Sequence, residues 1–348
     1  MQVITAPQDY NEEELFINLE QIFGRSLYLK CEGFNFAGSI KLKAAAEMVA
    51  GAERMGLLRR GSVLVESSSG NLGVALSAIA ASRGYGFVCV TDVRSNASVI
   101  RTMEAFGSRV CVITEPDPVG GFLGARLRYV RDLCDRDERY VWLNQYTNPN
   151  NWRAHHRVTA AAVARSFPQL DVLFVGAGTT GTLMGCVRYF QEQRPSVRVV
   201  AVDSDGSVTF GGPAGNRMIP GLGAGVRPPM LDTSALAGVV HVAEVDTVRA
   251  CHQMVRAGFL MGGSTGTVVS GALAWLAEHD ANNELTAVAI SPDLGDRYLE
   301  SVYDKTWLRE MYGDALSDVH EGGPRSLVAS VPAPVAAGPV ASGQPRSR

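Results

Sequence analysis

The chain has 348 residues, 46% of them hydrophobic and 19% charged, which is enough apolar material for one or two packed domains and too little charge for a disordered chain. Thirty-two basic residues against 35 acidic ones give a formal net charge of -3, so there is no basic field to hold nucleic acid or an anionic membrane. Six cysteines without CxxC pairing suit buried thiols of a cytoplasmic protein, the opening MQVITAPQDYNEEELF lacks the basic start and apolar run of a signal peptide, and no run of about 18 apolar residues predicts a membrane span.

In chain order, the periodicity predicts a helix over 41–57, a strand over 62–66, a helix over 71–83, a strand over 86–91, a helix over 97–106 and a strand over 109–114. Helices follow at 122–134 and 152–166, then a strand at 171–175, a helix at 182–193, strands at 197–203 and 239–242, helices at 246–257 and 266–278, and a strand at 286–291. Strand-then-helix alternation means parallel sheets covered by helices. The wholly apolar VLFV at 172–175 suits a sheet buried on both faces. The predicted class is therefore α/β, with two domains of parallel-rich open sheets flanked by helices and a cleft between them. An N-terminal domain is expected over 1–145 and a C-terminal one over 146–312. Residues 313–348 are expected to be a disordered tail, since 322–348 is rich in Pro, Ala, Gly and Ser without periodicity.

Three clusters carry candidate chemistry. The first, Gly176-Ala-Gly-Thr-Thr-Gly181, follows a predicted strand and opens a helix, and it matches GxGxxG, with Asp203 ending the next strand as a dinucleotide site requires. It also carries hydroxyls at Thr179, Thr180 and Thr182, which a terminal phosphate monoester uses beside the free N–H groups of a helix start. An unliganded glycine-rich turn is the third reading. The second cluster, Glu66-Ser-Ser-Ser-Gly-Asn-Leu-Gly73, gathers N–H and O–H donors at a helix start, a pocket that suits a carboxylate and that could equally be ordinary capping. In the third, Asn35-Phe-Ala-Gly-Ser-Ile-Lys41, a lysine opens a helix, where a cationic helix end disfavours its ammonium form. Such a lysine can form a Schiff base, although a lone lysine is more often a solvated surface charge. The adjacent His155 and His156 point about 100° apart on a helix and cannot ligate one metal together, so no metal site is expected.

Together these segments resemble the pyridoxal-phosphate β-replacement enzymes of fold type II, the cysteine synthase and cystathionine β-synthase group. NFAGSIK resembles the lysine motif, SSSGNLG the substrate-carboxylate loop and GTTGT (178–182) the phosphate loop. NQYTNPN at 144–150, GSTG at 263–266 and PDLGDRY at 292–298 are similar to further family segments in the same order. The resemblance implies that Lys41 carries pyridoxal 5'-phosphate and removes the substrate α-proton. It implies that Gly178, Thr179, Thr180, Gly181 and Thr182 bind the cofactor phosphate, that Asn71 bonds the ring 3-oxygen, and that Ser264 faces the pyridine nitrogen. Ser68, Ser69 and Gln145 would bind the amino-acid carboxylate. Residues 36–144 are expected to be the part that moves, and the assembly a homodimer.

Departures narrow the substrates. Cysteine synthases usually carry Pro after the motif asparagine and Asp-Arg after the lysine, whereas this chain has Phe36 and Leu42-Lys43. SIKLK, GSVTFGG and RMIPGLGAG resemble the branch that makes N-(2-amino-2-carboxyethyl)-L-glutamate, which supplies L-2,3-diaminopropionate to siderophore and peptide-antibiotic pathways. That branch joins O-phospho-L-serine to L-glutamate: phosphate leaves, and the glutamate amine adds to the β-carbon of the aminoacrylate. A downstream NAD-dependent dehydrogenase is the expected pathway partner. Arg126, Arg217 and Tyr146 are the candidate groups for phosphate and glutamate, with a solvated helix face as the competing reading for Arg126 beside Arg128 and Arg131. A cysteine synthase using O-phosphoserine or O-acetylserine with sulfide is the alternative, and a binding protein without turnover is a reading from another class.

Overall fold

The computed structural model describes residues 4–10, 12–317 and 319, and among these ten strands form two sheets. They are β1 (Phe16–Asn18), β2 (Leu27–Cys31), β3 (Val63–Ser67), β4 (Gly86–Asp92), β5 (Arg109–Ile113), β6 (Tyr140–Trp142), β7 (Val172–Gly176), β8 (Arg198–Ser204), β9 (Gly238–Val242) and β10 (Ala287–Ser291). Every strand predicted from the sequence is present. The larger sheet runs β1-β2-β10-β7-β8-β9 and is parallel except for the β1–β2 hairpin pair; the smaller runs β5-β4-β3-β6 and is parallel throughout.

Both sheets are covered on both faces, as their apolar runs require. In β7, Val172 and Phe174 pack into one core with Trp275 and Met254, while Leu173 and Val175 enter another with Met184 and Phe190. In β3, Leu64 faces Met48, Leu76 and Ile79, and Val65 faces Val130 on the opposite side.

Strand order sets where a ligand can sit. From β3 the chain moves outward to β4 and β5, then crosses back to place β6 on the other side of β3. From β7 it moves outward to β8 and β9, then returns to place β10 on β7's other side. Each reversal opens a crevice at the carboxyl ends of two adjacent parallel strands, the usual ligand position in open α/β sheets. The loops after β3 and β6 carry Ser68 and Gln145; the loops after β7 and β10 carry Thr180 and Asp293.

Three expectations need correcting. Sheet membership does not follow a boundary at residue 145, because β1 and β2 pair into the larger sheet through β10, with Val288 opposite Tyr28. The periodicity hid β2 because Lys30 stands in the middle of it; this lysine is wholly buried, donates to the Glu13 carbonyl at 2.8 Å and pairs with Glu32 at 3.1 Å. The tail does not begin at 313: after the helix Lys305–Tyr312, residues Gly313–Leu316 form a 3-10 turn, and Leu316 and Val319 are buried against Ile219, Tyr298 and Val302. The remainder of the expected tail lies outside the described residues. The helix expected over 152–166 begins at Pro149 and is interrupted by a π-helical stretch, His155–Ala160.

Candidate active site

The loop after β7 turns into the helix Gly181–Gln193 through Thr180, whose φ of +68° is left-handed and unusual for a β-branched residue. This geometry leaves Thr180 Oγ1 buried and without a partner. At Gly181 a Cβ would collide with the Asn151 amide, so only glycine lets that side chain lie across the helix start. Asn151 Nδ2 donates to Thr179 Oγ1 at 3.2 Å and to the Gln145 carbonyl at 2.8 Å. Thr182 Oγ1 lies 3.2 Å from His155 Nε2, and His155 Nδ1 lies 3.1 Å from Thr159 Oγ1. Burial pushes the His155 pKa well down, and Lys41 and Lys43 add to that, so the ring is neutral. An orphaned hydroxyl and free helix-start N–H groups fit a phosphate monoester. The cofactor phosphate therefore fits the residues present.

Lys41 is the first residue of the helix Lys41–Arg54 and is partly exposed. The preceding loop is held by Asn35, whose Nδ2 donates to the carbonyls of Glu32 (3.0 Å) and Ser39 (2.9 Å). Desolvation lowers the Lys41 pKa, opposed by the Asp293 carboxylate. The departure at Lys43 also has a structural place: its Nζ pairs with buried Glu32 at 2.6 Å, so Glu32 is shared between Lys30 and Lys43.

Asp293, just after β10, links several of the candidate residues. It accepts from Asn71 Nδ2 at 2.8 Å and from the Tyr298 hydroxyl at 2.7 Å, and the same hydroxyl lies 3.5 Å from Ser264 Oγ. Ser264 is buried near the start of the helix Gly263–His279, against Gly221, whose φ of +112° and lack of Cβ admit the serine hydroxyl. Lys41, Asn71 and Ser264 are thus gathered around one carboxylate.

The candidate carboxylate loop runs directly into the helix that Asn71 opens. Ser68 Oγ accepts from Gly73 N at 3.0 Å and Gly70 N at 3.3 Å, closing the turn into the helix Asn71–Arg83, while Ser69 is exposed. Gln145 donates its Nε2 to the Ser67 carbonyl at 2.8 Å and its backbone N–H to Glu66 Oε2 at 3.0 Å. Beside it, burial pushes the Tyr146 phenol up to about 12, with Arg126, Glu66 and Ser67 as neighbours, so the hydroxyl stays protonated. Arg126 is buried, with Nε 3.4 Å from Asp92 Oδ2, and the solvated-face reading is set aside. Arg217 joins neither group: its Nη1 donates to the carbonyls of Gly206 (2.8 Å) and Ala224 (3.2 Å) and fastens its own loop. The contact of His155 with Thr182 has no signal in the sequence and needed the fold. Glu66, Asp293 and Arg297 lie inside recognised motifs, but no spacing announced their contacts.

The six cysteines carry no disulfide, and no cluster of metal-ligating side chains occurs among the described residues. No helix of the described residues is long and apolar enough to cross a membrane.

Comparison with known proteins gives the family and the fold. The O-acetylserine dependent cystathionine beta-synthase from Helicobacter pylori shares the fold at a TM-score of 0.80, with 23% identity over 86% of this chain and 99% of that one. An O-ureido-L-serine synthase is 31% identical over 87% of this chain and 96% of its own, at a TM-score of 0.79. A hydrogen sulfide-producing enzyme from Fusobacterium nucleatum is 28% identical over 85% of this chain and 100% of its own, also at 0.79. Residues 15–293 match the family model described as pyridoxal-phosphate dependent enzyme, and the chain belongs to that family, with the fold type II architecture.

Proposed function

We propose that this is a β-replacement enzyme that joins O-phospho-L-serine to L-glutamate, giving N-(2-amino-2-carboxyethyl)-L-glutamate. Bound pyridoxal phosphate supplies the electron sink. In this reading Lys41 Nζ takes the substrate α-proton, and a lowered pKa suits a base working near neutral pH. The Ser68 loop and Gln145 hold the α-carboxylate. The observation that carries the choice of substrate is the buried Arg126 guanidinium beside the protonated Tyr146 phenol, next to that loop. A departing phosphate uses a fixed cation and a neutral hydroxyl donor together, and a departing acetate has less need of the cation. Thr180 suits the cofactor phosphate better than glutamate, because its buried hydroxyl lies at the helix start.

The test is mass spectrometry of products from O-phosphoserine with glutamate and sulfide competing. A glutamate adduct is expected. Arg126→Met should reduce turnover with O-phosphoserine by roughly ten- to a hundredfold, the size of one charge-assisted contact, and affect O-acetylserine far less. Efficient thiol products with no glutamate adduct would assign the chain to sulfide chemistry instead.

A further inference from the structure

The amide of Asn71 can point either way, and its neighbours decide which. Its Nδ2 donates to Asp293 Oδ2 at 2.8 Å, and its Oδ1 accepts from the Arg297 guanidinium. A guanidinium only donates and a carboxylate only accepts, so a flipped amide would set donor against donor and acceptor against acceptor. The orientation of Asn71 therefore follows from chemistry, and one of its two Nδ2 hydrogens remains uncommitted to Asp293.

The two locking residues are themselves anchored. Arg297 Nη2 donates to the Ala37 carbonyl at 2.6 Å, within the loop that leads to Lys41, and its own carbonyl accepts from Asn96 Nδ2 at 3.3 Å. Asp293 is buried, is fixed by the Tyr298 hydroxyl at 2.7 Å and has Gly262 packed against it. Its second oxygen, Oδ1, is buried without a hydrogen-bond partner. Burial pushes the Asp293 carboxyl up from its ordinary value, while the hydrogen bonds from Tyr298 and Asn71 and the nearby Arg297 and Lys41 cations pull toward the ionised form, in which both oxygens only accept.

We infer that Asp293 and Arg297 are positioning residues that act through Asn71, holding its free Nδ2 hydrogen toward the ring 3-oxygen of the cofactor. The inference rests on the reading that Asn71 meets that oxygen. It makes the hydrogen bond pre-oriented, so no amide rotation accompanies cofactor binding.

A double-mutant cycle on the holoenzyme tests it, reading the dissociation constant for pyridoxal phosphate and the absorbance spectrum of the bound cofactor. Asp293→Asn can donate as well as accept and so removes one of the two constraints on the amide. It should weaken cofactor binding about tenfold, roughly one hydrogen bond, and shift the absorbance band. In an Asn71→Ala background the same change should weaken binding less than twofold. Arg297→Gln removes the obligate donor from the other side and should show the same non-additivity, which covers the case in which Asp293→Asn does not fold. Equal effects with and without the Asn71 amide would overturn the lock and leave Asp293 a packing residue. If Asn71→Ala alone changes neither affinity nor spectrum, the contact with the 3-oxygen is itself wrong and the inference falls with it.

Discussion

Glu66 offers the most quantitative test of how the carboxylate loop is held. It is the penultimate residue of β3 and is completely covered. Its Oε1 accepts from Ser67 N at 2.9 Å and Trp142 Nε1 at 3.1 Å, and its Oε2 accepts from Gln145 N at 3.0 Å, so one carboxyl ties the loop after β3 to the loop after β6. Burial raises its pKa from 4.5 to about 7 despite those donors. Below the unfolded-state value the group is neutral in both states and withdraws nothing. As pH rises toward the folded-state value the unfolded chain ionises first, and stability is lost until both states are ionised. That interval corresponds to about 3 kcal/mol. Glu66→Gln cannot titrate. It sets an NH2 group against the Gln145 N–H or against the Ser67 and Trp142 donors, but that penalty does not change with pH. The stability of Glu66→Gln relative to the parent should therefore improve by about 3 kcal/mol between about pH 4.5 and pH 8. Urea unfolding followed by circular dichroism at several pH values measures this difference. A difference independent of pH would show that Glu66 titrates alike folded and unfolded, and the argument from burial would be refuted.

Lys41→Ala should leave the fold intact, since alanine suits a helix start, while turnover falls on the order of a thousandfold and the bound-cofactor absorbance of the parent is lost; parental turnover in that variant would remove Lys41 from the chemistry. Gly181→Ala should push the Asn151 amide off its contacts with Gln145 and Thr179, costing about 1–3 kcal/mol of stability and weakening both cofactor and substrate binding, as thermal melts and cofactor titration would show. Removal of the residues beyond about 322, which lie outside the described part of the chain, should change neither activity nor solubility, because that Pro- and Ala-rich stretch has no periodic apolar face to dock; lost activity in the truncated protein would contradict this.

Much of the local structure was legible from periodicity and turn chemistry. The run at 62–66 is β3, displaced by one residue, and the helix expected over 71–83 is found at Asn71–Arg83 with its start at the motif asparagine. β6 escaped notice because it has only three residues and none of them is fully buried. β2 escaped because a buried ion pair replaces the apolar residue that periodicity looks for. The contact of His155 with Thr182 escaped because helical periodicity does not announce the π-helical stretch that begins there.

The sequence by itself determined the loops that hold chemistry: a lysine opening a helix, donors clustered at 67–71 and hydroxyls at 179–182, each legible because the relevant groups are neighbours in the chain. Tertiary structure decided which of these loops face one another. Placing β6 beside β3 sets Gln145 against Ser67, and placing β10 beside β7 sets Asp293 near Lys41 and Asn71, although 222 positions separate Asn71 from Asp293. Strand order depends on burying whole sheet faces at once, a property of the assembled layers that no local pattern carries.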